Sequence, residues 1–242
     1  MSHSVARCWP QIQIWRFKCR LFVMSFTQFR NREDAAEKLL ELLLPFRDQN
    51  PLVLGIPRGG IPMALRIAEG LHGQLDVALV RKLCAPFQPE LAIGAVDEDG
   101  RTWIAPCAGE AGADRHYIRL ETERELELIH TRRQEYTPGR APVSCEERLT
   151  IVVDDGVATG STLTAALQGV RTQKPRWLVA AVGVASTEAL ERITKEADDV
   201  LCIHTANDLV AVGQFYEDFA PVTDGEVATA LQELVPTPPL LG

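Results

Sequence analysis

After Met24 the chain alternates between two hydrophobic periods. In "REDAAEKLLELLLPF" (32–46), Ala35, Ala36, Leu39, Leu40 and Leu43 recur at helical spacing, which predicts a helix with one buried side. "DQNP" (48–51) stops it. "LVLGI" (52–56) is a short unbroken apolar run and predicts a buried strand. "IPMALRIAEGL" (61–71) returns to helical spacing, and "LDVALV" (75–80) reads as the next strand. Strand, helix, strand in this order favours a parallel sheet.

The middle breaks the rhythm. "RKLCAPFQPELA" (81–92) holds two prolines and reads as a long loop. "IGAV" and "TWIA" flank Asp97-Glu98-Asp99-Gly100, a hairpin signal. A charged helix is expected over about 114–135, then a connector over 137–144. These pieces read as an insertion over the sheet edge. The rhythm resumes with strands at 149–153, 177–184 and 200–204 and helices at 162–173 and 187–197. A short helix at 223–235 precedes a proline-rich end. The pattern predicts one doubly wound α/β domain with an insertion and a C-terminal cap.

Composition narrows the function. Hydrophobic residues make up 46% and charged residues 24% of the 242 positions, ordinary for a soluble globular chain. A net charge of −8 argues against non-specific nucleic-acid binding, while a local site can still take a small anion. The six cysteines are scattered, with no C-x-x-C pair. A zinc site or disulfide framework is therefore not expected, and a reducing cytoplasm fits. Cys84 has no neighbouring histidine or base and is not read as a catalytic thiol. From Met1 to Gln28 there is no acidic residue, while Arg7, Arg16, Lys18 and Arg20 are basic. "IQIW" and "LFVM" are too short to span a membrane, and no secretory cleavage pattern follows. Two readings remain: an organelle-targeting leader, or an upstream start ahead of Met24. The second is favoured, and residues 1–23 are set apart from the domain.

The chemistry concentrates in "IVVDDGVATGST" (151–162). Ligands of open parallel sheets bind at the carboxyl ends of strands, near a switch in strand order. Asp154 and Asp155 are expected at such an end. The small residues after them let backbone N–H groups approach an anion, and Thr159, Ser161 and Thr162 add hydroxyls at a helix start. The loop is neither a Walker A loop nor a dinucleotide fingerprint. Carboxylates would repel a phosphate, so their work must involve hydroxyls or a metal. They can accept hydrogen bonds from vicinal sugar hydroxyls and help place a hydrated Mg²⁺. A sugar phosphate satisfies both halves. A second loop, "GIPRGG" (55–60), offers Arg58, Gly59 and Gly60, and Arg81 with Lys82 adds cations after the next strand.

"VVDDGVATGST" resembles the phosphoribosyl pyrophosphate motif of type I phosphoribosyltransferases, and "PRGG" resembles their pyrophosphate loop. "VRKL", "QPELAIGAV" and "AVGQFYEDFAPVTDGEV" are similar to the branch often called predicted phosphoribosyltransferases, with the likeness running from about 29 to 234. The resemblance implies a mainly parallel five-stranded core with a smaller hood. The domain would span 24–235, with the insertion and flap at about 83–148, the hood at about 205–235 and a tail at 236–242.

The resemblance also implies phosphoribosyl pyrophosphate as donor and Mg²⁺ as cofactor. Asp154 and Asp155 would hold the ribose hydroxyls and the metal, directly or through water. Gly156 and Val157 join the substrate-binding set, and Ala158, Thr159, Gly160, Ser161 and Thr162 would wrap the 5′-phosphate. Arg58, Gly59 and Gly60 would face the pyrophosphate, helped by Arg81 and Lys82, with Arg58 and Lys82 stabilising charge on the leaving group. Residues 83–91 would form a closing flap. Members of the superfamily often carry a cis non-proline peptide in the pyrophosphate loop, and the matching bond is Pro57–Arg58.

Hypoxanthine-guanine enzymes carry a third aspartate where Ala158 stands, so a base must come from elsewhere. Glu90 in the flap is favoured, with Glu217 and Asp218 in the hood as alternatives. Ala-Thr-Gly after the acidic pair matches adenine enzymes better, while "LVAVGQFYEDF" resembles the hypoxanthine-guanine hood. The acceptor stays open. No nucleic-acid or membrane partner is expected, and a homodimer is allowed. The competing reading is a non-catalytic regulator that keeps the fold and binds phosphoribosyl pyrophosphate or nucleotides.

Overall fold

The computed structural model describes residues 28–207 and 209–234. The expectations for residues 1–23 and for the tail at 236–242 lie outside them. In chain order the elements are α1 (Arg32–Leu43), β1 (Leu52–Gly55), α2 (Gly60–Leu71), β2 (Gln74–Val77), β3 (Val80–Ala85), β4 (Gln88–Asp97) and β5 (Thr102–Ile104). Then follow α3 (Arg115–Tyr136), β6 (Leu149–Val157), α4 (Ser161–Thr172), β7 (Trp177–Ser186), α5 (Thr187–Ile193), β8 (Asp199–Ala206) and α6 (Asp224–Glu233).

The main sheet has five parallel strands in the order β2-β1-β6-β7-β8. Alternate side chains of each strand enter opposite cores. Ile151 and Val153 pack with Leu39 and Leu43 of α1 and Ile61 and Ile67 of α2. Val152 packs on the other face with Leu163 and Leu167 of α4 and Ile193 of α5. Burial on both faces is why β1 is an unbroken apolar run, with all four residues buried. The helical face expected from Ala35 to Leu43 is buried as read. The order reverses between β1 and β6, so their carboxyl ends open the crevice where such sheets take ligands.

Two expectations about the middle are corrected. Residues 81–92 are not a long loop but most of an antiparallel hairpin of β3 and β4, and β5 completes a three-stranded sheet. The prolines fit because neither sits in a paired position. Ala85 pairs with Gln88, which leaves Pro86 and Phe87 as the turn, and Pro89 falls where the register shifts between Ala85 and Cys84. The strand expected at 75–80 ends at Val77, and Val80 already opens β3. Arg81 and Lys82 therefore start a hairpin strand rather than end a core strand. The hairpin at Asp97–Gly100 forms as read, with Asp97 accepting from the Asp99 and Arg101 amides.

Helix α3 is tied to the core sheet by a buried ionic cluster. Asp76 of β2 is 1% exposed and accepts from Arg133 Nη1 at 2.7 Å, Arg140 Nη2 at 2.8 Å and the Val143 amide at 3.0 Å. Arg133 also grips Glu98 through two bonds of 2.7 Å. The insertion is thereby held against β2, next to the strand ends that open the crevice.

Candidate active site

Among the described residues, four α-helices begin with a side-chain cap: Asn31 for α1, Asp114 for α3, Ser186 for α5, and the reciprocal Thr223–Glu226 pair for α6. Helices α2 and α4 do not. Their caps are Gly59 and Gly160, with no side-chain hydrogen bond. These two helices start at the carboxyl ends of β1 and β6, on either side of the switch in strand order. The positive ends of both helix dipoles are thus directed at the crevice, but at α2 the first N–H groups are already taken, Gly60 by the Ile56 carbonyl at 3.0 Å and Ile61 by the Arg58 carbonyl at 3.2 Å, and Pro62 has none.

Strand β6 runs further than expected. It pairs with β7 as far as Val157–Ala185, so Asp154, Asp155, Gly156 and Val157 are its last residues rather than loop. Alternation sends the two aspartates to opposite faces. Ala158, Thr159 and Gly160 make the turn, and Ser161 and Thr162 open α4. Gly160 has φ +79, a left-handed conformation that favours glycine. Ser186 Oγ donates to the Ala158 carbonyl at 2.6 Å and fixes the turn from β7. The Val157 side chain is buried in the core, and a Cβ at Gly156 would overlap Val212, so neither position offers a side chain to the crevice.

The second loop closes against this pair. The Pro57–Arg58 peptide is cis, as expected. A Cβ at Gly59 would overlap the Asp155 carboxylate, and one at Gly60 would crowd the Val153 carbonyl. Glycine at both positions lets the two loops meet.

Asp155 is held on two sides. Arg32 Nε donates to its Oδ2 at 2.8 Å, and Tyr216 Oη donates to its carbonyl at 2.6 Å. Arg32 also donates to the Ala220 carbonyl at 2.7 Å and lies 3.8 Å from the centre of the Phe219 ring. One guanidinium therefore links α1, the acidic pair and the C-terminal segment. Asp154 is different. Burial and the adjacent Asp155 charge push its carboxyl well above the usual carboxylate range.

The expected cations reach the same region in part. Arg58 and Arg81 line one cleft of ≈ 360 Å³ with Thr162. Arg81 and Lys82 also line an adjoining cleft of ≈ 510 Å³, again with Thr162. Arg81 is not an unengaged cation: its Nε donates to Glu125 Oε2 at 2.6 Å. Glu90 is exposed on the hairpin, and among the described residues no hydrogen bond or ion pair joins it to the aspartates. Glu217 and Asp218 are exposed, with their amides bonded to the Phe29 and Arg30 carbonyls. Burial raises the Cys84 thiol, which suits a structural role better than a nucleophile.

Sequence reasoning missed Arg32, Ser186, Tyr216 and the residues that engage the arginines from α3 and α6. Tyr216 lies inside "AVGQFYEDF", a stretch noticed only for its likeness. Arg32 and Asp155 are separated by 123 positions, and no local pattern marks the arginine. If the pair takes the phosphoribosyl pyrophosphate that the sequence resemblance implies and Arg32 orients Asp155, Arg32→Gln should weaken its binding about ten-fold while the chain stays folded. Titration with phosphoribosyl pyrophosphate checks this, and unchanged affinity would leave Arg32 a purely structural strut.

The chain is 36% identical over 204 residues to a protein named "Putative phosphoribosyl transferase" in two strains of Mycobacterium tuberculosis. The match takes in 84% of this chain but only 46% of the mycobacterial sequences. The crystal structure of TT1426 from Thermus thermophilus is 42% identical and superposes with a TM-score of 0.80, over 86% of this chain and 99% of that one. The model of the phosphoribosyl transferase domain matches residues 26–219, and the chain belongs to that family.

Proposed function

We propose that this chain transfers a phosphoribosyl group from phosphoribosyl pyrophosphate to a nitrogen acceptor and releases pyrophosphate. One observation carries the reading. Two helices with glycine starts and no side-chain cap flank an acidic pair at the switch in strand order, and an arginine-lined cleft adjoins them. A ligand that fits has two anionic ends and vicinal hydroxyls between them. Turn 158–160 and the start of α4 take the 5′-phosphate through N–H groups and the Thr159, Ser161 and Thr162 hydroxyls. Asp154 and Asp155 accept from the ribose hydroxyls. Arg58, Arg81 and Lys82 take the pyrophosphate, with Gly59 and Gly60 allowing close backbone approach.

Among the described residues no group of three or more His, Cys, Asp or Glu side chains could cage a metal ion. One oxygen of Asp155 is already committed to Arg32. The acidic pair therefore fits an ion that takes most of its ligands from donor oxygens and water, the usual habit of Mg²⁺. Held beside Asp154 and Asp155, it would neutralise charge on the pyrophosphate.

The reaction breaks the bond from the sugar C1 to a pyrophosphate oxygen and forms a bond from C1 to nitrogen. Positive character grows on the sugar ring as negative charge grows on the leaving group. Arg58 and Lys82 stabilise that negative charge. The β3–β4 hairpin closes over the centre and excludes water, which would otherwise hydrolyse the donor.

Ala158 cannot exchange a proton, so an acceptor that must lose one needs another group. Glu90 is that base, brought to the acceptor by hairpin closure. Glu90→Gln should lose about 10²-fold in turnover with donor binding intact, and Glu217→Gln should not. Full activity in Glu90→Gln would move the base elsewhere. The reading as a whole is tested by pyrophosphate release from donor and Mg²⁺ across a panel of nucleobases and amines. Donor binding without release on any acceptor would favour the regulator.

A further inference from the structure

The ≈ 360 Å³ cleft has a third arginine. Arg132 of α3 lines it together with Arg58 and Arg81. No loop motif points to Arg132, because it stands near the end of the insertion helix. One carboxylate answers two of these guanidiniums. Asp224 accepts from Arg132 Nη1 at 2.9 Å and lies 3.7 Å from Arg58 Nη1. Tyr136 Oη donates to the same Asp224 oxygen at 2.6 Å and accepts from Arg132 Nη1 at 2.6 Å.

Asp224 is free for this work. It is the first residue of α6, but Thr223 and Glu226 already cap that helix reciprocally. Its carboxyl is held below the usual range, first by the Tyr136 hydroxyl and then by Arg132 and Arg58. Arg81 is also answered by a carboxylate, Glu125 of α3. Three guanidiniums around one cleft repel each other, and the carboxylates that answer them are shared: Asp224 between Arg58 and Arg132, and Glu125 between Arg81 and Arg124. Pyrophosphate carries several charges and enough oxygens to engage more than one guanidinium fork. It is the better counter-ion for the group.

We propose that Arg132 is a donor-binding residue that grips the pyrophosphate end together with Arg58, and that Asp224 is the resting counter-ion the ligand displaces. This rests on the phosphoribosyl transfer reading and adds a residue from the insertion helix to its site. The insertion is then part of the binding machinery rather than only a cover over the sheet edge.

The test is calorimetric titration of the full chain with two probes, inorganic pyrophosphate and ribose 5-phosphate. The second probe reaches the 158–162 turn and the aspartates but has no pyrophosphate. Arg132→Gln should weaken pyrophosphate about ten- to hundred-fold and leave ribose 5-phosphate unchanged. Arg132→Lys should recover part of the loss, since it restores charge without the fork. Asp224→Asn should tighten pyrophosphate, because it removes a competitor. Retained ribose 5-phosphate binding shows that each variant is folded. If Arg132→Gln binds pyrophosphate like the unaltered chain, Arg132 merely joins α3 to α6 and the proposal is overturned. If Asp224→Asn weakens pyrophosphate, the counter-ion role is overturned. If the unaltered chain binds neither probe, the transferase reading itself falls.

Discussion

Asp76→Asn is expected to cost about 3–5 kcal/mol of stability, the scale for removing one partner of a buried ionic cluster. Asparagine keeps one acceptor oxygen but loses the charge, and its NH₂ group would face Arg133 and Arg140. Arg133 retains Glu98, and Arg140 retains the Leu231 carbonyl at 2.9 Å. Neither retains the shared anion.

The pH dependence has a definite sign. Burial pushes the Asp76 carboxyl up, but Arg133, the Val143 amide and Arg140 outweigh it, and the group lies below its ordinary value of 3.8. A depressed carboxyl stabilises the fold above its unfolded value, and that stability is lost as pH falls through the folded value. Urea unfolding near neutral pH should show the full loss in the variant. Below about pH 4 the gap between variant and unaltered chain should narrow. A loss under about 1 kcal/mol at neutral pH would mean that the cluster is not what fixes α3. The consequence reaches the site, because Arg133 neighbours Arg132. A loosened α3 would blur the arginine cleft before the sheet itself unfolds.

What could be read in the sequence was contiguous. The helical face of α1 and the apolar run of β1 are local patterns, and each formed as read. The hairpin of β3 and β4 was hidden because prolines argue against strands, and only the pairing shows them at a turn and a register shift. The extension of β6 through both aspartates was hidden for a related reason. Asp and Gly are poor strand formers, and pairing with β7 overrides the preference. Arg32, Arg132 and Asp224 were illegible because each meets its partner across a long stretch of chain. Charged residues on helix ends look alike until the fold decides which of them face a crevice.

Asp154→Asn should make the protein more stable and nearly inactive. Burial and the Asp155 charge raise the Asp154 carboxyl well above the usual range. A raised carboxyl binds a proton more readily folded than unfolded. Stability therefore falls as pH rises from the unfolded value toward the folded one, and the ionised group is a net cost above it. Asparagine removes that cost. Each kcal/mol recovered would raise the melting midpoint by roughly 2–4 °C in a domain of this size. In the proposed sugar site the same change turns a hydroxyl acceptor partly into a donor, and loss of charge-assisted hydrogen bonds should reduce turnover about 10²-fold. Asp155→Asn is the contrast. It should lose turnover similarly but also lose stability, because Arg32, with a side chain 13% exposed, keeps its enclosure without its anion. Thermal unfolding in the absence of ligand, followed by pyrophosphate release with donor and Mg²⁺, reads both effects. A fall in melting midpoint for Asp154→Asn would show that its charge is compensated in the free chain. Undiminished turnover would remove Asp154 from the sugar site. The expected result is a residue that destabilises the empty fold and is kept because the hydroxyls of the donor complete its hydrogen bonds.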